Sequence, residues 1–287
     1  MSLSPIFRAC LWMVGAIVAF TAMAVSGRAV SLDLDTFEIM LYRSAIGVVL
    51  VIAVAGMAGT LPQIRTRKPM AHLVRNVCHF TGQNLWFYAI ATIPLAQVFA
   101  LEFTSPLWVM VMAPVILNER LTRSQAIAGA LGFVGILIVT RPGTETIEIG
   151  LVAAALAAIG FAGSAVLTRK LTRTETITCI LFYLTTMQAA LGLICAGFDG
   201  DIALPTAGNL PFVVVIAVAG LVAHYCLTTA LSLAPASIVM PIDFIRLPVI
   251  AIVGVLLYAE PLDPYVLLGA GLIFAANYYN IRRSARA

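Results

Sequence analysis

The sequence predicts an all-α polytopic membrane protein, with ten transmembrane helices arranged as two inverted five-helix repeats. Three observations predict this fold: the composition, a series of apolar segments of membrane-spanning length, and an internal repeat. Hydrophobic residues make up 61% of the chain and charged residues 10%, and the mean hydropathy is +1.02. A soluble domain carries about 25% charged residues, so a soluble fold is excluded.

Ten apolar segments have about the 20 residues that a helix needs to cross the hydrocarbon core. The first has no basic segment before it and is followed by many similar segments, so we interpret it as a helix and not as a cleaved signal. The short loops leave no room for a separate soluble domain. The ten predicted spans are residues 5–26, 36–57, 70–91, 94–117, 122–141, 147–168, 177–197, 209–231, 235–258 and 263–281.

A shift of 141 residues aligns the second half of the chain with the first. A constant offset over most of the chain is the mark of an internal repeat, and we place the repeats at residues 1–143 and 144–287. Because five spans are an odd number, the second repeat must enter the membrane upside down. The shift places Arg28 on Arg169, Tyr42 on Tyr183, Pro94 on Pro235, Glu102 on Asp243 and Glu119 on Glu260.

The distribution of Lys and Arg predicts the orientation, because these residues concentrate in cytoplasmic loops. With both termini in the cytoplasm, almost all of the Lys and Arg residues in the loops and near the span ends fall on the cytoplasmic side, Arg75 and Arg169 included. Arg28 and Arg141 lie on the other side. The net charge of +4 therefore reflects the asymmetry of the loops, and no nucleic-acid partner is expected.

Small residues recur at helical spacing in spans 5 and 10, among them Gly135 and Gly269. Small residues let helices approach closely in lipid, where no hydrophobic force drives them together. The pattern fits either a dimer face or packing within one subunit, and we favour packing. Both a monomer and a dimer are compatible with the sequence.

A small set of ionisable residues falls at depth within the spans. Charge in the hydrocarbon is costly and normally marks a pathway or a partner. One interpretation is structural: Asp243 and Arg246 are spaced i, i+3 and can pair, and Glu102 can pair with Arg43. The other is that these groups bind the charged ends of a substrate, or that an acid titrates during transport. The set is Arg43, His79, Glu102, His224, Asp243 and Arg246.

Span 3 carries polar and aromatic side chains on one helical face. His79, Gln83 and Trp86 share this face, with Asn84 and Tyr88 next to them. In span 8, its counterpart, His224 and Tyr225 occupy the positions that match Gln83 and Asn84. Polar groups at matched positions favour a substrate cavity over hydrogen-bonded packing. Tyr42 and its match Tyr183 fit either interfacial anchors or cavity walls.

Signatures of enzymes and ATPases are missing from the sequence. It contains no HExxH, GxSxG or P-loop motif, so we expect neither an enzyme nor transport driven by ATP hydrolysis in this chain. The five cysteines lie in apolar segments without CxxC spacing. No disulfide framework, metal site or cofactor is therefore expected.

One long segment resembles the EamA family of the drug/metabolite transporter superfamily: YAIATIPLAQVFALEFTSPLWVMVMAPVILNERLTRSQAIAGALGFVGILIVTRPG. The resemblance rests on the short turn between spans 3 and 4, a proline inside span 4, Glu119 at its end and a glycine-rich span 5. It covers the chain as two EamA-type repeats. The second repeat departs from the first at Pro261, which aligns with Arg120, and at Leu247, which aligns with Pro106.

The resemblance implies a secondary transporter that works by alternating access, with a central cavity lined by spans 1, 3, 4, 6, 8 and 9. The chain is most similar to amino acid exporters of the bacterial inner membrane. We therefore expect export of amino acids, neutral and aromatic ones included, with that small molecule and the lipid bilayer as partners. The alternatives are a proton-coupled exporter of drugs or cationic metabolites and an uncoupled, channel-like facilitator.

Overall fold

The computed structural model describes residues 5–118, 123–141, 148–198, 200–261 and 263–284, in which all regular structure is helical. Short 3₁₀ segments lie at Leu61–Gln63 and Met240–Ile245. The α-helices are α1 (Pro5–Val30), α2 (Thr36–Met57), α3 (Pro69–Thr92), α4 (Leu95–Glu102), α5 (Ser105–Leu117), α6 (Arg123–Thr140), α7 (Ile149–Leu171), α8 (Ile177–Ala196), α9 (Leu210–Leu233), α10 (Ala236–Val239), α11 (Arg246–Tyr258) and α12 (Pro264–Ser284).

Among the described residues, six helical segments are long and apolar enough to cross a membrane: α1, α2, α4 with α5, α7, α8 and α9. Shorter apolar stretches lie at Gly129–Val139, Val249–Tyr258 and Pro264–Ala276. The third predicted span forms α3, whose buried polar residues lower its hydropathy. A polytopic, all-helical membrane protein is therefore supported, while the ten-span inverted arrangement and the orientation remain predictions.

Span 4 is interrupted where the sequence predicts a continuous helix. A turn at Phe103 and Thr104 separates α4 from α5, which begins at Ser105. Pro106 has no N–H to donate to the carbonyl of Glu102, and the Ser105 hydroxyl donates to that oxygen at 2.6 Å instead. The interruption places Glu102 at the end of a helix, beside the centre of the bundle. In span 9, the 3₁₀ segment Met240–Ile245 separates α10 from α11.

The most extensive helix contacts are between α1 and α9, α3 and α7, α2 and α8, and α6 and α12. The 141-residue shift converts the first of these pairs into the second, because α1 corresponds to α7 and α3 to α9. It maps the α2–α8 and α6–α12 pairs onto themselves. The four most extensive pairs thus map onto one another when the two halves of the chain are exchanged, while less extensive pairs such as α5–α7 and its counterpart α1–α11 differ.

The small residues of spans 5 and 10 pack against each other within one chain. A Cβ atom added to Gly135 would lie 2.8 Å from the carbonyl oxygen of Gly269, and one added to Gly269 would lie 2.7 Å from that of Gly135. The α6 and α12 backbones therefore touch at these glycines, and the pattern serves packing inside the subunit.

This contact predicts a difference between two glycines of α12. Gly269→Ala is expected to lower the free energy of unfolding by about 1–3 kcal/mol, because the new methyl group overlaps the α6 backbone. Gly271→Ala is the matched control, since nothing lies within 4 Å of its added Cβ, and we expect no loss there. Thermal unfolding in detergent measures both variants, and equal stability would contradict the packing described above.

Candidate functional site: a central polar cavity

A cavity lies between α1, α3, α7, α9 and the two interrupted segments, with an empty volume of about 780 Å³ that includes its mouth. Its walls come from spans 1, 3, 4, 6, 8 and 9, the six that the family resemblance implies. The lining residues are Met13, Phe20, Met23, Arg75, His79, Gln83, Trp86, Glu102, Phe103, Ser105, Pro106, Phe161, Ser164, Ala165, Thr168, His224, Leu227, Thr228, Met240, Asp243 and Arg246.

Three charged side chains form a triad at one end of the cavity. Arg246 donates to Glu102 Oε1 at 2.6 Å and also pairs with Asp243, three residues earlier in the chain. The indole N–H of Trp86 donates to the second oxygen of Glu102 at 2.6 Å. Arg246 is 2% exposed, so its charge is compensated by two carboxylates and not by water. The triad therefore joins α4 of the first half to α11 of the second.

Aromatic rings surround the guanidinium of Arg246. Its central carbon lies 5.1 Å from the ring centroid of Phe20 and 4.7 Å from that of Phe99. Cation–π contacts of this kind add to the stabilisation of a desolvated cation. The rings and the two carboxylates hold the guanidinium in place, which makes the triad a fixed, desolvated end of the cavity.

A histidine pair lines the middle of the cavity. The rings of His79 and His224 meet edge to face, with centroids 4.6 Å apart, and His224 also contacts Phe20. Several buried polar atoms along the cavity have no hydrogen-bond partner among the described residues: His79 Nε2, Gln83 Nε2, both ring nitrogens of His224, and Asp243 Oδ1. Buried polar groups are normally hydrogen-bonded, so this concentration of unsatisfied atoms indicates a site that receives a polar ligand.

Arg75 reaches the cavity from α3, although the sequence analysis counted it among the cytoplasmic loop charges. It is 2% exposed and lies one helical turn before His79. Its Nε donates to Thr168 Oγ1 of α7 at 3.0 Å. A signal for it was present in the sequence, because Arg75, His79, Gln83 and Trp86 follow one another at i, i+4, i+8 and i+11 on one helical face.

Seven of the twelve candidate site residues line the central cavity: His79, Gln83, Trp86, Glu102, His224, Asp243 and Arg246. Arg43 does not pair with Glu102, as one interpretation of the sequence expected. It lines a smaller cavity of about 270 Å³ empty volume, of which His224 also forms a wall. The expected pair fails because Glu102 turns towards Arg246 of the opposite half.

The other four candidates lie away from the central cavity. Tyr88 and Tyr225 are 39% and 42% exposed, and Tyr225 packs against Trp12. Asn84 is buried but donates to the carbonyl of Phe80 on its own helix. Tyr42 donates to the carbonyl of Ala203 at 2.8 Å, so it anchors a loop and does not form a cavity wall.

The sequence missed the aromatic and hydroxyl lining that α1 and α7 contribute, notably Phe20, Phe161 and Ser164. These residues lie in segments as apolar as any other span. Their composition alone therefore does not distinguish a cavity wall from a face that packs against lipid.

Three potential metal ligands meet outside the cavity, where the sequence predicts no metal site. Ligand atoms of His72, Glu175 and Cys179 lie within 4.8 Å of one another. Both carboxylate oxygens of Glu175 already accept hydrogen bonds, one from the Thr66 hydroxyl and the other from the Cys179 thiol. We therefore assign no metal to this cluster.

A network of polar contacts closes one end of the bundle, which we call the latch end. Arg28 forms an ion pair with Glu260 at 3.2 Å and donates to the carbonyl of Ile93 at 3.0 Å. Glu260 also accepts from the backbone N–H of Leu95 at 2.9 Å, and the Tyr258 hydroxyl donates to the carbonyl of Val25. The network joins α1, the α3–α4 turn and the end of α11.

The cavity lies to one side of these latch contacts. Along α1 the lining runs from Met13 to Met23, and along α3 from Arg75 to Trp86. The latch residues follow these stretches in each helix. The cavity therefore extends away from the latch end, towards the end of the bundle where Arg169 of α7 donates to the carbonyl of Leu231 in α9 at 2.6 Å.

A helical bundle with apolar spans around a buried, charged cavity defines a membrane transport protein as the class. The sequence model of the EamA-like transporter family matches residues 7–141 and again residues 148–281. The chain belongs to this family.

Related proteins match most of the length of the chain. A riboflavin transporter of Brucella anthropi is 30% identical over 279 residues, 95% of this chain and 98% of that protein. A riboflavin transporter of Rhizobium johnstonii is 33% identical over 79% of this chain and 74% of that protein. An S-adenosylmethionine uptake transporter of Rickettsia felis is 24% identical over 96% of this chain and 93% of that protein.

A solved crystal structure has the same fold at low sequence identity. It superposes with a TM-score of 0.71, covers 97% of this chain and 98% of the other, and is 19% identical in sequence. At this identity the likeness concerns the fold alone.

Proposed function

We propose that the chain is a secondary transporter of the bacterial inner membrane that works by alternating access around the central cavity. Two inverted repeats, 1–143 and 144–287, form it, and both termini face the cytoplasm. Three observations support the proposal: the four most extensive helix pairs map onto one another when the halves are exchanged, the family model matches twice, and the latch contacts lie at one end while the cavity extends towards the other.

The substrate proposed here is a planar aromatic metabolite with several hydrogen-bonding groups, and riboflavin is the leading candidate. The observation that carries this choice is the composition of the cavity wall, where aromatic rings alternate with unsatisfied polar atoms. Phe20, Phe161 and Trp86 offer faces or edges for a heterocycle, and His79, Gln83 and His224 offer the hydrogen-bonding atoms. Two relatives with whole-chain or near-whole-chain similarity are named riboflavin transporters.

Amino acid export is the second candidate, because the cavity wall carries both carboxylates and guanidiniums. The carboxylates lie at the triad, and Arg75 lies 11 residues from Trp86 along α3, about 16 Å at 1.5 Å per residue. A zwitterion could use both regions, but an α-amino acid carries its charges on neighbouring atoms and is too short to reach both. Because the cavity is longer than an α-amino acid, a larger substrate is the leading candidate.

Counterflow in proteoliposomes tests the choice of substrate. Vesicles preloaded with unlabelled riboflavin are expected to accumulate labelled riboflavin saturably, without an imposed pH gradient. Phe161→Ala is expected to raise the KM about tenfold, because it removes an aromatic wall contact worth about 1–1.5 kcal/mol. Tyr88→Ala is the matched control, since this exposed ring lies away from the cavity, and it should leave the KM unchanged.

The other outcomes identify the other functions. Exchange of amino acids without exchange of riboflavin would establish the second candidate. Movement of an organic cation that requires a pH gradient and Glu102 would establish a drug or cationic metabolite exporter. Flux that does not saturate and shows no counterflow would indicate a channel-like facilitator.

A further inference from the structure

Arg43 is a buried guanidinium without a carboxylate partner in the described part of the chain. It lies in α2, is 7% exposed, and has one side-chain contact, to the sulfur of Met40 at 3.7 Å. A guanidinium carries five N–H donors, so within the described part of the chain most donors of Arg43 have no protein acceptor and are left for a ligand or water. Burial of a charge in this way is costly unless an opposite charge compensates for it.

Arg75 is buried under similar conditions on the neighbouring helix α3. Its partners are the Thr168 hydroxyl at 3.0 Å and the amide oxygen of Asn76 at 3.2 Å, both of them neutral. Arg246 shows the contrast, because Glu102 and Asp243 both bind it. Both acids of the cavity, Glu102 and Asp243, therefore pair with Arg246. In the described part of the chain neither of them pairs with Arg43 or Arg75.

The region between Arg43 and Arg75 is positively charged, and no acid lies among the described residues that line the smaller cavity. The smaller cavity beside Arg43 is lined by Ser44, Thr185, Gln188 and His224, together with small and apolar residues. The two guanidiniums lie within electrostatic range of each other and of the His79–His224 pair. His224 forms a wall of both cavities, so a group bound here would contact the site proposed for the substrate.

We propose that Arg43 and Arg75 form an anion subsite beside the His79–His224 pair, which binds the oxygen atoms of a carboxylate or a phosphate. The planar fork of a guanidinium matches such groups with two parallel hydrogen bonds, and the Ser44 hydroxyl lies in the wall of the same cavity as a further donor. The subsite rests on the proposed transport function, because the anion is either part of the substrate or a free ion bound with it.

Thermal unfolding of the purified protein in detergent tests the subsite directly. Inorganic phosphate is expected to raise the unfolding temperature of the wild type, since a ligand that binds the folded state stabilises it by mass action. Sodium chloride at the same ionic strength controls for screening. Arg43→Gln and Arg75→Gln are each expected to remove the phosphate response and to leave the unfolding temperature without phosphate unchanged or higher, because an uncompensated buried charge is gone.

Two further variants separate the subsite from a structural role. Arg67→Gln removes an exposed arginine from the loop before α3 and should behave as the wild type. Arg43→Lys keeps the charge and should keep part of the phosphate response. A wild type that shows no response to phosphate or acetate beyond the chloride control, with Arg43→Gln less stable in every buffer, would overturn the proposal.

Quenching of protein fluorescence distinguishes the two sources of the anion, because Trp86 lines the cavity. Riboflavin monophosphate that binds at least about tenfold more tightly than riboflavin, with the preference lost in Arg75→Gln, would place the anion on the substrate. Equal affinities that rise together when phosphate is added would indicate a free ion. Phosphate stabilisation without any riboflavin counterflow would refute the proposed substrate and leave the subsite in place, whereas counterflow without any anion effect would do the reverse.

Discussion

Replacement of Arg246 by glutamine is expected to abolish transport and to destabilise the protein by about 3–5 kcal/mol, as removal of one partner from a buried ion pair does. Glu102 and Asp243 would then face each other in a nearly water-free site without their shared cation. The rings of Phe20 and Phe99 would lose the cation that they surround. Thermal unfolding and counterflow on the same preparation measure both effects.

The triple variant Glu102→Gln, Asp243→Asn, Arg246→Gln is the control for this prediction. It removes all three charges and leaves none uncompensated, so we expect most of the lost stability to return. Transport should stay absent, because the charged end of the cavity is gone. If the single variant were as stable as the wild type, the triad would not be the buried, mutually dependent unit that the contacts describe.

The ion pairs of the triad show which contacts can be predicted from the sequence and which cannot. The i, i+3 spacing of Asp243 and Arg246 predicts their contact, because both lie on one segment, and the structure contains it. The contact of Arg246 with Glu102 crosses 144 residues of sequence, and no periodicity fixes how two such segments meet. Arg43, which one interpretation of the sequence paired with Glu102, is therefore not its partner in the structure.

Arg75 and the interruption of span 4 show a second limit. Hydropathy identifies a span and its approximate ends, but it treats an arginine near an end as a loop charge whether its side chain leaves the bundle or enters it. Arg75 enters because Thr168 of α7 and Asn76 hold it there. In the same way, Pro106 indicates a weak point in span 4, while the site of the break depends on Ser105 as the donor to the Glu102 carbonyl.

Glu260→Gln is expected to open the latch end more often and to shift the balance between the two accessible states of the cavity. The change removes the charge that pairs with Arg28 while keeping a side-chain oxygen for the backbone N–H of Leu95. Loss of a hydrogen-bonded charge worth about 1.5 kcal/mol corresponds to about a tenfold change in population. With the five native cysteines replaced, a single cysteine at Ser164 in the cavity wall reports access to a membrane-impermeant maleimide.

Sealed vesicles of both orientations show from which side of the membrane the maleimide reaches the cavity. Labelling of the Ser164→Cys protein should become about tenfold faster from the latch side in Glu260→Gln, with little change or a decrease from the other side. Asp263→Asn is the matched control, because it breaks an ion pair with Arg141 that joins the α6 and α12 segments and spares the cavity-lining helices. If labelling were accelerated equally in both variants, the substitutions would loosen the whole bundle and not the latch specifically.

A substitution of Arg169 tests the end of the bundle opposite the latch. Arg28 ties α1 to the C-terminal end of α3, and Arg169 ties α7 to the last turn of α9. The 141-residue shift places Arg28 on Arg169 and α3 on α9, so the two contacts join corresponding helices, although Leu231 lies three residues before Ala234, the position that matches Ile93. It also places Glu119 on Glu260, although Glu119 lies outside the described residues. If the repeats alternate as proposed, Arg169→Gln should slow labelling from the latch side and accelerate it from the other, whereas an asymmetric gate would leave the latch-side rate unchanged.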